Sequence, residues 1–483
     1  LNQDKTKVVF NTFLFAIFIC ALYPLYLILS HKWQNRLLLI GSYIFYGAWD
    51  YRFLSLIFIS TVIDFYCGKH IETSNNIHTR KAFLAVSVIS NLSLLCFFKY
   101  FNFFADNFRA LLEVSGFTCN FGTLEIILPV GISFYTFQTM SYTIDIYKNE
   151  LRSTDCFLDF ALFVSFFPQL VAGPIERARE LLPQILSPRK VNLSDFYTGC
   201  HLIFWGLFQK VFIADNLAQI VDRVFDQVPL QASGIEIVIA TYAFAFQIFC
   251  DFAGYSNIAR GLGRIMGFDI MVNFRIPYIA SNPTEFWKRW HISLSSWLKD
   301  YLYIPLGGSR GGLYFTCRNL LATMIIGGLW HGAAWTFIIW GFYHGFLLII
   351  YRMAKAKKFS LTCNFKAFQF VEKGLKIFLF FNLVCIGWLF FRAQSIEQIT
   401  EIAMLPFINF LPNHMTMILP GLIQLLFFTL PLLLVQYFQH KYNDLMIVTR
   451  FNPAFQTLFY VTYFHLLVFF GVSGGNRFIY FQF

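Results

Sequence analysis

What most restricts this chain is the recurrence of long apolar runs with charge confined to the short segments between them. The runs fall near residues 8–30, 36–48, 53–68, 82–99, 126–147, 156–173, 196–214, 235–256, 317–340, 341–352, 375–391, 415–437 and 455–472. A hydrocarbon core of about 30 Å takes roughly 20 apolar residues at ~1.5 Å of helical rise each, and inside it only helices or closed barrels satisfy every backbone group. With 57% hydrophobic and 13% charged residues, the chain has too little polar surface for a water-soluble globule. The pattern predicts an all-α polytopic membrane protein with about 11–13 membrane helices or re-entrant segments. Its first run is long and lacks a small-residue cleavage site, so it reads as a spanning helix and not as a cleavable leader. The net charge of +11 suits loops against an anionic membrane surface, making membrane lipids and not nucleic acid the expected partner. The ten cysteines are scattered without CxxC or CxxH spacing and read as small hydrophobes, so neither a disulfide framework nor a metal site is expected.

Residues 285–345 organise the rest. The second half of this stretch, RNLLATMIIGGLWHGAAWTFIIWGFYHG, carries no acidic or basic side chain other than histidine from 320 to 343. Read as one spanning helix, it places His331 near mid-depth, where an ionisable group faces a partner or a water-filled cavity. His344, at the far end, reads as interfacial. Gly327, Gly328, Gly332, Ala333 and Ala334 flank His331 and let a neighbour or ligand approach closely, with Gly328 and Gly332 forming a GxxxG pair. The plain alternative is a helix-packing face with a hydrogen-bonded core histidine. The first half, EFWKRWHISLSSWLKDYLYIPLGGSRGG, spaces Trp287, Trp290, His291, Leu294, Trp297, Leu298 and Tyr301 at helical intervals, with basic and hydroxyl residues between. That pattern predicts an amphipathic interfacial helix with His291 on its apolar stripe, able to converge with His331 on one cavity.

Three further stretches are polar for their setting: PVGISFYTFQTMSYTIDIY (129–147), SFFPQLVAGPIERARELLPQI (165–185) and FCDFAGYSNIARGLGRIMGF (249–268). Each alone reads first as a packed polar network. Together with the histidines they suggest a sizeable central cavity. Loop charges orient the C-terminal part: lysines between 352 and 376 mark an inside loop, and the lysine- and arginine-free segment 393–440 marks an outside one. The tail GVSGGNRFIYFQF then emerges outside.

These same stretches, with RNLLATMIIGGLWHGAAWTFIIWG and the terminal FIYFQF, resemble the membrane-bound O-acyltransferase (MBOAT) family, in particular its bacterial branch for alginate and peptidoglycan O-acetylation. The resemblance runs from about residue 11 to 483, with Asn257 standing where the family pattern has Asp. It implies a single MBOAT domain over 1–483, with a catalytic core at about 126–345, a tail at 473–483, and a helical bundle around a funnel. It further implies a multi-pass protein of the bacterial inner membrane, with its C-terminus outside. The activity implied is transfer of an acetyl group from cytosolic acetyl-CoA across the membrane, for O-acetylation of a cell-envelope polysaccharide such as peptidoglycan or an alginate-like exopolysaccharide. A periplasmic serine-esterase-like acetyltransferase is the implied partner. D-alanyl transfer to teichoic acid and small-solute transport are the competing readings. His331 matches the family's principal catalytic histidine and is the expected base. His291 matches its partner, and orients it, polarises the thioester carbonyl or shuttles the proton. Arg289, Lys299 and Arg310 are candidates for the nucleotide phosphates. Tyr480, with its phenol in the tail, is the candidate acyl carrier between donor and partner, with Gly474 and Gly475 as the hinge and Phe478, Phe481 and Phe483 seating the tail.

Overall fold

The computed structural model describes residues 10, 12–117, 124–170, 173–227, 232–356, 366–410, 418–472 and 479. Among these, every regular element is helical, the outcome expected where backbone groups have no water to turn to. Seven helical stretches among the described residues are long and apolar enough to cross a membrane: His31–Thr73, Ile77–Val114, Gly234–Ile265, Trp335–Lys355, Gln369–Arg392, Ile418–Lys441 and Pro453–Phe470. The protein is an all-α, multi-pass membrane protein. Other apolar runs became shorter or broken helices. The 126–147 run begins its helix only at Ile132 and ends at Tyr147, and 156–173 is interrupted at Phe166 between Phe157–Ser165 and Phe167–Leu170. The 196–214 run opens as Leu193–Leu207 and passes into a π-helical turn, Phe208–Ala214.

One boundary changes the reading of the central stretch. The run 320–343 is not one span: a helix Gly312–His331 stops at His331, and a new helix, Trp335–Ala356, starts four residues on. Gly332 is extended (φ −159°, ψ 150°) and breaks the backbone ladder there. Hydropathy does not register this break because its residues are as apolar as the helices they join. The two helices form a tight hairpin. A Cβ on Gly328 would stand 2.2 Å from the Phe337 carbonyl oxygen, and one on Gly341 would stand 2.3 Å from that of Met324. The small residues thus serve backbone-to-backbone packing within the hairpin.

The chain divides into two compact units, one of residues 1–203 with 256–271 and the other of 204–255 with 272–483. In the first, the Ile132–Tyr147 helix is buried along nearly its whole length, which explains its polar composition. Asp64 accepts hydrogen bonds from Ser87 (2.5 Å) and Asn91 (2.8 Å), Thr139 reaches Asn91 (3.1 Å), and Gln138 donates to the Phe163 carbonyl (2.6 Å). For these residues a packed polar network is what is found, while the buried Tyr135 hydroxyl and Thr136 Oγ1 have no hydrogen-bond partner among the described residues. Glu176 is likewise buried and accepts from the Met271 backbone N–H at 2.8 Å. Asn257, the position of the departure from the family pattern, accepts from Arg260 one turn on, at 3.1 Å.

The second unit holds the hairpin, the helices Lys366–Arg392, Ile396–Ile408, Ile418–Lys441 and Pro453–Phe470, and the aromatic-rich segment 283–303. That segment is not the continuous amphipathic helix its spacing suggested. A short helix Pro283–Trp287 ends, His291 takes a left-handed conformation (φ 42°), and a second helix, Ile292–Leu298, continues into a π turn, Lys299–Tyr303. A non-glycine residue in that region carries backbone strain, which neighbouring packing must offset. The expected apolar stripe is nonetheless the buried one: Trp290, His291, Leu294, Trp297 and Leu298 are all inside.

Candidate active site

Two breaks in regular structure place the two histidines. His331 closes the Gly312–His331 helix, and His291 sits at the N-terminal cap of Ile292–Leu298. Their rings lie 6.3 Å apart, centroid to centroid, so the two histidines are neighbours in the second unit, although the single shared cavity expected from sequence is lined by His331 and not by His291. His344, expected at an interface, is instead fully buried against Trp340 and Trp287 (5.0 and 5.2 Å). The hairpin turn explains this, because it folds the Trp335–Ala356 helix back along its predecessor.

His291 is 0% exposed and is held by a residue that sequence reading did not single out. Asn273 Oδ1 lies 3.2 Å from His291 Nδ1 and also accepts from the Ser293 backbone N–H (3.2 Å) and Ser293 Oγ (2.9 Å). A backbone N–H has only hydrogen to give, so the atom it meets is the amide oxygen. That fixes the Asn273 orientation and puts the His291 proton on Nδ1. Ser293 Oγ, 3.3 Å from Nδ1, then accepts from the same N–H. Nε2 is thereby the acceptor nitrogen. Asn273 lies 18 residues before His291 in a non-helical loop, and no periodicity marks it.

His331 is 4% exposed. Trp330, Trp340 and Phe391 surround its ring at centroid distances of 5.1, 5.0 and 5.4 Å. It also lines a cavity of about 830 Å³ that Trp287 and Trp340 share. Four cationic side chains, Lys288, Lys299, Arg352 and Lys355, line the same cavity. His291 is not among its lining residues. The cavity therefore joins an imidazole in an aromatic wall to a cationic region able to meet polyanionic groups.

Of the basic candidates, Lys299 lines this cavity. Arg289 does not: its guanidinium is paired with Glu285 at 2.9 Å and donates to the Arg275 carbonyl at 3.2 Å. Arg310 does not either, and stands exposed in the GGSRGG turn. Lys288, Arg352 and Lys355 take their place. Arg352 and Lys355 were legible as basic residues ending a helix but not as cavity lining, because the hairpin that brings them there was hidden in an unbroken apolar run. Tyr480, Gly474, Gly475, Phe478, Phe481 and Phe483 lie outside the described residues. Their neighbour Ile479 is described, and its backbone N–H donates to the buried Asp251 carboxylate at 2.7 Å.

Comparison with known proteins places the chain in a family. Residues 48–391 match the model of the membrane-bound O-acyltransferase family. A probable alginate O-acetylase of Pseudomonas aeruginosa is 43% identical over 390 residues, covering 80% of this chain and 72% of that protein. A peptidoglycan O-acetyltransferase of Helicobacter pylori is 37% identical over 430 residues, covering 81% and 78%. A teichoic acid D-alanyltransferase of Bacillus subtilis is 30% identical over 292 residues, covering 57% and 71%. The chain belongs to the membrane-bound O-acyltransferase family and is an O-acyltransferase.

Proposed function

We propose that this enzyme takes an acetyl group from cytosolic acetyl-CoA and passes it across the inner membrane for O-acetylation of a cell-envelope polysaccharide, peptidoglycan or an alginate-like exopolysaccharide. The carrying observation is that His331 lines the same cavity as four cations while its ring stands 6.3 Å from that of His291. The cations suit the phosphates of a nucleotide thioester, and the aromatic wall suits the acyl end. The alginate and peptidoglycan O-acetylating relatives cover 80% and 81% of this chain and the D-alanyltransferase 57%, which favours acetyl over D-alanyl transfer.

In this reading His331 is the general base. It removes the proton of the acceptor hydroxyl as the oxygen attacks the thioester carbonyl carbon. The carbon–sulfur bond breaks, and the imidazolium returns the proton to the leaving CoA thiolate. His291, with its proton on Nδ1 toward Asn273, offers Nε2 as an acceptor and orients its partner histidine. It does not polarise the carbonyl, which would need a donor at Nε2. The first acceptor is the Tyr480 phenol, whose ordinary pKa of about 10 makes it a better leaving and attacking group than an alkyl alcohol. The resulting aryl ester passes its acetyl group to the serine hydroxyl of a periplasmic esterase-like partner, which regenerates the phenol. The C-terminus lies outside in this topology.

The test is release of CoA from acetyl-CoA by the detergent-solubilised protein. His331→Ala is expected to lower turnover about 100-fold or more, within the usual span for a general base, with the melting temperature unchanged. A well-folded His331→Ala protein that releases CoA at the wild-type rate refutes the assignment.

A further inference from the structure

The FCDFAGYSN stretch and the π-helical turn Phe208–Ala214 meet in a buried charge cluster that includes neither histidine. Lys210 Nζ lies 2.8 Å from Asp215 Oδ1 and 2.8 Å from Asp251 Oδ1, with side-chain exposures of 1, 2 and 4%. The backbones approach closely here: a Cβ on Gly254 would stand 2.8 Å from the Gly206 carbonyl oxygen and 3.2 Å from the Lys210 nitrogen. One cation here faces two carboxyl groups inside the protein. Buried carboxyl oxygens call for hydrogen-bond donors beyond that shared cation. Asp251 Oδ2 receives one, the backbone N–H of Ile479, at 2.7 Å.

The chain is tied to the same segment as it leaves its last helix. Asn216 donates to the Phe470 carbonyl at 2.8 Å, and the Val472 N–H donates to the Val211 carbonyl at 3.3 Å. Phe470, Val472 and Ile479 are thus all held by residues 211–216 or by the acid paired with Lys210. Ile479 itself is buried. A free end that merely rests on an apolar interface has no reason to bring a main-chain donor to a buried carboxylate.

We propose that the Lys210–Asp215–Asp251 cluster is a built-in receptor for the C-terminal segment, and that Asp251 is the positioning residue that fixes the main chain at Ile479. Its purpose rests on the reading in which Tyr480, the next residue in the sequence, carries the acetyl group. Lys210 pairs with Asp251 and aims it, and Asp215 holds Lys210 from the other side. The bond is to the backbone, so the receptor tolerates side-chain changes at 479 and does not tolerate loss of the N–H.

Substitution of Asp251 risks the fold, because it leaves Lys210 partly uncompensated in the interior. Ile479→Pro removes the donor together with the buried isoleucine side chain, and Ile479→Ala removes the side chain while keeping the donor, so the difference between the two reports the N–H. Both full-length variants are to be digested in detergent with a carboxypeptidase, which releases residues only from an undocked tail. Ile479→Pro is expected to release the terminal residues roughly 10- to 100-fold faster than Ile479→Ala, the effect of losing one hydrogen bond to a charged group. Label from acetyl-CoA on the C-terminal peptide should fall in step in Ile479→Pro. Equal protection of the two variants, or equal release, overturns the proposal. The relay reading is tested separately by Tyr480→Phe: polysaccharide acetylation that survives it refutes the relay, while the digestion still reports whether Asp251 holds the tail.

Discussion

The Asn273–Ser293 pair offers a sharp test of how His291 works. Asn273→Ala removes the acceptor shared by His291 Nδ1, Ser293 N and Ser293 Oγ, all within 3.2 Å of one oxygen. The Ser293 N–H is left buried without that acceptor, at a cost of about 1–3 kcal/mol. His291 fares better, since Ser293 Oγ at 3.3 Å still accepts from Nδ1. Each single substitution, Asn273→Ala or Ser293→Ala, should therefore slow CoA release only a few-fold. In the double variant Nδ1 loses both acceptors and nothing selects the tautomer that leaves Nε2 unprotonated. If the two bonds together hold His291 by about 1.5–3 kcal/mol, turnover falls by roughly 10- to 150-fold, more than the product of the singles. The assay is the initial rate of CoA release at saturating acetyl-CoA, beside a melting curve for each of the four proteins. A folded double variant with the rate expected from simple multiplication would show that Asn273 and Ser293 do not act through His291.

Three other outcomes follow from specific contacts. Gly328→Ala puts a methyl group 2.2 Å from the Phe337 carbonyl; it should cost about 1–3 kcal/mol and lower the melting temperature, and an unchanged melting curve would contradict the hairpin packing. Burial pushes the Glu176 carboxyl up to about 8 from its ordinary 4.5, so the native state keeps a proton that the unfolded chain releases. Its contribution then declines as pH rises from about 4.5 to about 8, and Glu176→Gln should flatten that slope in thermal unfolding scans. Paired substitution Lys299→Gln with Arg352→Gln should raise the KM for acetyl-CoA roughly 3- to 30-fold and weaken its salt dependence while kcat holds, and a KM that does not move would remove the cavity as the nucleotide site.

Sequence carried the membrane class, and it drew attention to His331, because both rest on strong local signals: apolar length, and an ionisable group amid small residues. It did not carry the hairpin. Gly332 to Ala334 are apolar and uncharged, so nothing in composition separates a turn from the middle of a span. Three readings turned on that one break: His331 ends a helix, His344 is buried, and Arg352 and Lys355 belong to the cavity. Arg289 was equally invisible as a paired residue, because its partner Glu285 sits one helical turn away on a segment whose local geometry the spacing misjudged. Asn273 is legible only in three dimensions. The polar stretch 129–147 shows the converse, a set of hydroxyls and amides whose ordinary packing use was the simpler reading from the start.

The two breaks also set the two histidines at opposite electrical poles. A helix gathers partial negative charge at its last carbonyls and partial positive charge at its first amides, worth about 0.3–1 kcal/mol to a charge within one turn. His331 terminates its helix, and His291 opens a different, earlier one. In the proposed mechanism a proton arriving on His331 meets the carbonyl end of its own helix, while His291 faces an amide end. The two helix ends thus bias the proposed transient cation toward His331 by a term on the order of 1 kcal/mol, and so lend the pair a direction.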